Sequence, residues 1–145
     1  MSRQFAKIFV HLVIGTQDRA PLITRDLELQ IHTYLRAQLM EMHCIPVSLN
    51  GMDDHVHLLF GLNPEKSIAE VVQQLKDAST RWMDAEGLSA DGLRWHPGYA
   101  VVSVSETMLG VVKTYLKDQR DHHREDNLIP ELEIWEIEDE FLLLN

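Results

Sequence analysis

The chain has 145 residues, 45% of them apolar, and its one cysteine, Cys44, rules out an internal disulfide and suits a reducing compartment. That length fits a single domain, 1–145, with a sheet-and-helix core, and no apolar run is long enough to cross a membrane, so a cytoplasmic globular protein is expected. The formal net charge of −10 argues against strong non-specific binding to duplex DNA, which calls for a basic surface.

Residues 5–15 are dense in β-branched and aromatic side chains and read as a first strand. Their apolar run is broken by His11 and no small-residue cleavage site follows, which argues against a signal peptide. After a polar turn at 18–21, Thr24 is expected to cap a helix with Asp26 and Glu28 in its first turn. Leu27, Ile31, Leu35, Leu39 and Met42 then recur at helical spacing. Residues 45–50 and 55–62 read as strands joined by the turn chemistry of 51–54, an antiparallel hairpin. Ser67 and Glu70 form a capping box ahead of the stripe Ile68, Val71, Val72, Leu75, Ala78 and Trp82, and Gly87 ends that helix. A loop leads to a fourth strand at 99–104. Ser105 is predicted to cap a last helix over 106–124 that buries Met108, Leu109, Val112 and Leu116. The order predicts an α+β fold: a ferredoxin-like βαββαβ sheet with helices on one face, plus a C-terminal helix. The acidity is a property of the tail, 125–145, which holds eight acids and no Lys or Arg. The rest carries 15 acids against 13 bases, near neutrality, and can hold a local basic groove. The apolar end of the tail is expected to dock on another surface.

The run Asp54-His55-Val56-His57-Leu58-Leu59 is the most informative. On a strand, alternate side chains share a face at about 6.6 Å spacing, so the two imidazoles are neighbours while Val56, Leu58 and Phe60 point into a core. Such a pair is either two satisfied or solvated histidines or two ligands for one ion. Downstream, Tyr115, Gln119 and His122 share a helix face. Tyr115 then lies at the edge of a helix–core contact, with Gln119, His122 and His123 solvated, or it faces the histidine strand. In the second arrangement a divalent ion on His55, His57 and the Gln119 amide oxygen keeps positions open for a phosphodiester oxygen, and Tyr115 is the nucleophile. A phenol with an ordinary pKa near 10 needs that help at neutral pH. Mixed imidazole and amide-oxygen ligation favours Mg²⁺ or Mn²⁺ over a closed Zn²⁺ site. The product is a 5′-phosphotyrosine link, which keeps the bond energy, so rejoining needs no ATP.

These residues, with Phe9-Val10-His11-Leu12-Val13, Asn50-Gly51-Met52-Asp53 ahead of the histidines, Leu75-Lys76-Asp77-Ala78-Ser79-Thr80-Arg81-Trp82, Trp95, Gly98-Tyr99-Ala100 and Ser103-Val104-Ser105, extend over nearly the whole chain. The pattern resembles the small tyrosine transposases of the IS200 type, with their His-hydrophobic-His motif, to which the REP-associated tyrosine transposases are related. The resemblance implies Tyr115 as nucleophile, His55 and His57 as metal ligands and Gln119 as the third. It also implies a homodimer, in which the tyrosine helix of one subunit can complete the other's site, and single-stranded DNA with hairpins as substrate. Lys76 and Arg81 on the second helix, and Lys113, Lys117, Arg120 and Arg124 on the last, are candidates for phosphate contacts; the alternative is ordinary solvated helix surface. The chain departs from the family in Asp77, where Gly is usual, and in its acidic tail. Two other functions fit the same fold: a catalytically silent hairpin-binding or regulatory module, and an oligomeric small-ligand protein.

Overall fold

The computed structural model describes residues 5–118. Four strands, β1 (Phe9–Gly15), β2 (Ile45–Gly51), β3 (His55–Gly61) and β4 (Ala100–Val104), form an antiparallel sheet in the order β2-β3-β1-β4. Helices α1 (Arg25–Glu41) and α2 (Ile68–Glu86) make the two crossovers, and α3 (Leu109–Lys117) follows β4. This is the expected α+β arrangement.

One sheet face is apolar and closed. Val10, Leu12 and Ile14 of β1 and Val56, Leu58 and Phe60 of β3 meet Leu27, Ile31, Leu35 and Leu39 of α1 and Val71, Val72, Leu75 and Met83 of α2. Both strands obey the period of two that the alternation predicts; α1 buries its predicted stripe, with Met42 just past its end, while α2 buries Val71, Val72, Leu75 and Ala78, leaves the predicted Ile68 half-buried and encloses Met83 instead. Trp82 is only half-buried and stacks on Tyr34 at 4.4 Å. The capping box of α2 forms as expected, with Ser67 Oγ accepting from the Glu70 N–H and the Glu70 carboxylate accepting from the Ser67 N–H. Gly87 ends the helix in the left-handed conformation.

Three local expectations need correction. The first strand begins at Phe9 rather than at 5, because its pairing with Gly61 and Val104 begins there. Thr24 sits at the start of α1, but its hydroxyl donates to the Asp26 carboxylate (2.6 Å) and accepts no helix N–H. The last helix does not begin at 106: Glu106–Met108 is a 3₁₀ turn, Ser105 Oγ pairs with Thr107 Oγ1 (3.1 Å), and Met108 is 47% exposed. Ser105 makes no side-chain cap bond, and Gly110 in the first turn of α3 disfavours an earlier start. The predicted continuation of this helix to 124 lies outside the described residues.

Helix α3 packs on the other sheet face. Val112, Tyr115 and Leu116 close over Leu59, with Val47, Val104 and Leu109 around them. The histidines of β1 and β3 share the face that α3 covers.

Candidate active site

Strand β3 sorts its side chains by parity, so His55 and His57 lie on the face opposite Val56 and Leu58 and are fully buried. Their ring centroids are 5.0 Å apart and the planes nearly perpendicular, at 78°. The hairpin that presents them is stitched down at its tip. The Thr16 N–H and hydroxyl donate to the Asp54 carbonyl (2.9 and 3.2 Å), and the Ile23 N–H donates to the Asp53 carbonyl (2.9 Å). At Gly51 a Cβ would lie 2.2 Å from the His55 carbonyl oxygen, so no larger residue fits the close approach that starts the turn.

Each imidazole is oriented through its Nδ1. For His55 the partner is Asp54, whose Oδ1 lies 2.7 Å away while Oδ2 faces Arg19 Nε at 3.4 Å. The hydrogen bond from His55 holds the Asp54 carboxyl below its ordinary range, helped by the charges of His55 and Arg19, against burial pushing it up. An ionised carboxylate only accepts, so the His55 proton sits on Nδ1. For His57 the partner is His11 on β1, with Nε2 at 2.9 Å from His57 Nδ1. Sequence reasoning met His11 as a break in the first apolar run and as part of a motif, and assigned it no role. Its alternation with Leu12 was the available signal, but only the register, Val13 opposite His57 and His11 opposite Leu59, makes His11 a diagonal neighbour of His57.

Tyr115 is 5% exposed and packs with Leu59, two residues along β3 from His57. Its helix is tied to the hairpin by a residue that sequence reasoning also left without a role. Asn50 lies opposite His57 in the β2–β3 register, and its Nδ2 donates to the Leu116 and Lys117 carbonyls (2.5 and 3.3 Å). The C-terminal carbonyls of a helix need such a donor, and here it comes from the strand beside the histidines. The structure thus brings together His55, His57 and the Tyr115 helix on one sheet face.

Two imidazoles with their Nδ1 atoms engaged would hold an ion through Nε2, the arrangement by which outer partners orient metal-binding histidines. Among the described residues no group of three His, Cys, Asp or Glu side chains is arranged to hold a metal ion, so a third ligand would be of another kind or come from outside the described residues. Gln119, the expected amide ligand, lies outside the described residues, as do Arg120, His122, His123 and Arg124. Two imidazoles suit a borderline divalent ion, and an added oxygen ligand would bring harder ions such as Mn²⁺ within reach.

The family model described as "Transposase IS200 like" matches residues 4–119. The chain belongs to this family of transposases. A curated relative, the ISDra2 transposase TnpA of Deinococcus radiodurans, is 35% identical over 81 residues, covering 52% of this chain and 57% of that protein. The chain therefore matches a little over half the length of this relative. A crystal structure of a protein of Deinococcus radiodurans R1, assigned as a transposase, superposes with a TM-score of 0.63 at 28% identity, covering 82% of this chain and 96% of that one. A REP-associated tyrosine transposase bound to a REP hairpin superposes with a TM-score of 0.61 at 10% identity, covering 85% and 73%, and shares the fold.

The cations proposed for DNA fall on two sides of the sheet of this IS200-like chain. Lys113 and Lys117 are exposed on α3, on the histidine side. Lys76 and Arg81 lie on α2, on the other side, beside a groove of about 700 Å³ that also meets Arg94, Trp95, His96 and Tyr99. Arg81 is exposed, whereas Lys76 is half-buried and donates to the His96 and Gly98 carbonyls (2.6 and 2.8 Å). Burial lowers its pKa. Among the described residues no helix is long and apolar enough to cross a membrane.

Proposed function

We propose that the protein cuts and rejoins single-stranded DNA at hairpin-bearing element ends, with Tyr115 as the nucleophile. The observation that carries the reading is the packing of the Tyr115 helix against the same sheet face as His55 and His57, with Asn50 tying the two together. The phenol oxygen of Tyr115 forms a bond to the scissile phosphorus and gives up its proton to solvent. The bond to the 3′ oxygen breaks, and that oxygen leaves as a protonated 3′ end. Attack by another 3′ hydroxyl reverses the exchange and frees Tyr115. Burial of Tyr115 limits its motion.

His55, His57 and Gln119 would hold Mg²⁺ or Mn²⁺, which when bound polarises the phosphate and stabilises charge on the leaving oxygen. The Nδ1 partners of His55 and His57 orient the two rings. Two cuts per excision call for two tyrosines, so a homodimer, with either subunit's helix serving a given site, fits the chemistry. On the α3 side, Lys113 and Lys117, with Arg120 and Arg124, would meet the strand being cut. Lys76 and Arg81 line a second groove whose Trp95 and Tyr99 suit stacking by unpaired bases.

The test is a labelled hairpin oligonucleotide with a single-stranded flank, incubated with the full chain and Mn²⁺. A covalent protein–DNA adduct is expected, and Tyr115→Phe, which keeps the packing, removes it while leaving the melting temperature within a few degrees. Adducts that persist in the Phe variant, or hairpin binding with no adduct in the wild type, refute the assignment.

A further inference from the structure

We infer that His11 is a positioning residue for His57: it accepts the Nδ1 proton of His57 and so selects the tautomer in which Nε2 is the ligating nitrogen. The inference rests on His57 being a ligand, as proposed above.

His11 and His57 lie on adjacent strands, both essentially closed to solvent at 1% and 0% exposure. Their rings are nearly parallel, at 12°, with centroids 5.0 Å apart and an N···N distance of 2.9 Å. At face-to-face stacking distance the ring edges could not meet in this way. The separation instead matches two near-parallel rings that meet edge to edge, with the N···N bond between them. The lone pair and the N–H of an imidazole both lie in the ring plane, so this edge-to-edge meeting lets one histidine donate to the other.

A neutral imidazole has one proton, and the direction of the bond decides where it sits. If His11 donated, His57 would accept at Nδ1 and its own proton would fall on Nε2, blocking that nitrogen as a ligand. With His57 donating, Nε2 carries the lone pair, and His11 holds its proton on Nδ1. The neighbouring ligand shows the same device with different chemistry: Asp54 accepts from Nδ1 of His55. One ligand is thus set by a carboxylate on its own strand and the other by an imidazole from the next strand, and only the first adds negative charge behind the ring. Partners of this kind orient the ring, and losing one costs about 10–100-fold in metal affinity.

The substitutions His11→Gln and His11→Phe separate the hydrogen bond from packing. Gln offers an amide oxygen as acceptor, whereas Phe fills the space with none. The full-length chain is used without DNA. Side-chain ¹⁵N NMR of the metal-free wild type is expected to show His57 protonated on Nδ1 and His11 accepting at Nε2. Calorimetric titration with Mn²⁺ is expected to show affinity falling roughly 10–100-fold in His11→Phe and recovering most of that in His11→Gln. The melting temperatures of the two variants should differ little, since a packing role would move them together with binding. His57 protonated on Nε2, Phe and Gln variants weakened equally, or a Phe variant that binds like the wild type would each overturn the inference. If wild type itself takes up no Mn²⁺, the metal reading of the site fails, and the NMR tautomer alone then decides the role of His11. The same NMR measurement decides it if His11→Phe does not fold.

Discussion

The two faces of the sheet use burial for different ends. On the face covered by α1 and α2, the fully enclosed groups from β1 and β3 are aliphatic or aromatic, and they interlock with two long helices. On the face covered by α3, the same two strands bury His11, His55 and His57, and the apolar contact shrinks to a small cluster around Leu59. Burying imidazoles costs free energy unless each polar atom is matched, which the Asp54 and His11 bonds achieve for the two Nδ1 atoms of β3. The contrast teaches that stability is concentrated on one face so that the other can carry polar groups under a short, separately tethered helix.

Neighbouring leucines give the sharpest way to break that comparison. Leu58 and Leu59 are both fully buried but face opposite ways. Leu58→Ala should cost about 2–5 kcal/mol in global stability, read from the urea midpoint of the folded chain. Leu59→Ala should cost less globally yet loosen the Tyr115 helix, so adduct formation should fall while most of the urea midpoint is retained. Equal midpoint losses would show that the two faces are one cooperative unit with no division of labour.

A smaller effect is expected at the tether. Asn50→Ala removes the donor to the Leu116 and Lys117 carbonyls, at about 1 kcal/mol. The loss should appear as faster amide hydrogen exchange confined to α3, with α1 and α2 unchanged. Exchange that speeds up across the whole sheet would mean that Asn50 supports the fold rather than the helix alone.

The smallest effect lies at Lys76, a polar group on the α2 side. Burial lowers its pKa below the ordinary 10.5, so over the range between its folded value and 10.5 the unfolded chain binds more protons than the native one. The penalty for holding the charge is therefore present at neutral pH and is relieved as pH rises through the folded value. Wild-type stability should gain on Lys76→Met between neutral pH and about pH 10, measured as the difference in urea midpoints. A constant difference between the two proteins across that range would sink this account.

Much of the fold was legible in the residues because its signals are local. The alternation of Val56, Leu58 and Phe60 marks one strand face, the spacing of Leu27, Ile31, Leu35 and Leu39 marks one helix face, and Ser67 with Glu70 marks a helix start within four residues. The correction at 106–108 arose at a helix start: Ser105 has the chemistry of a cap but makes no cap bond, and the backbone after it takes a 3₁₀ turn. The histidine pair of the candidate site was visible for the same reason as the strand, since two residues one apart need no knowledge of the rest of the chain.

The partners were not visible. His11 and His57 are separated by 46 residues, and Asn50 and Leu116 by 66. Nothing at either end of such a contact states its mate until strand register and helix placement are set. By itself the sequence determined the strands, the helices, the face on which His55 and His57 fall and the membership of the IS200-like family, because periodicity and short motifs act over a few residues. Only the tertiary structure decided that α3 covers the histidine face, that His11 orients one histidine while Asp54 orients the other, and that Asn50 ties down the tyrosine helix. The physical reason is that a hydrogen bond acts over about 3 Å, and only folding brings groups so distant along the chain within its reach.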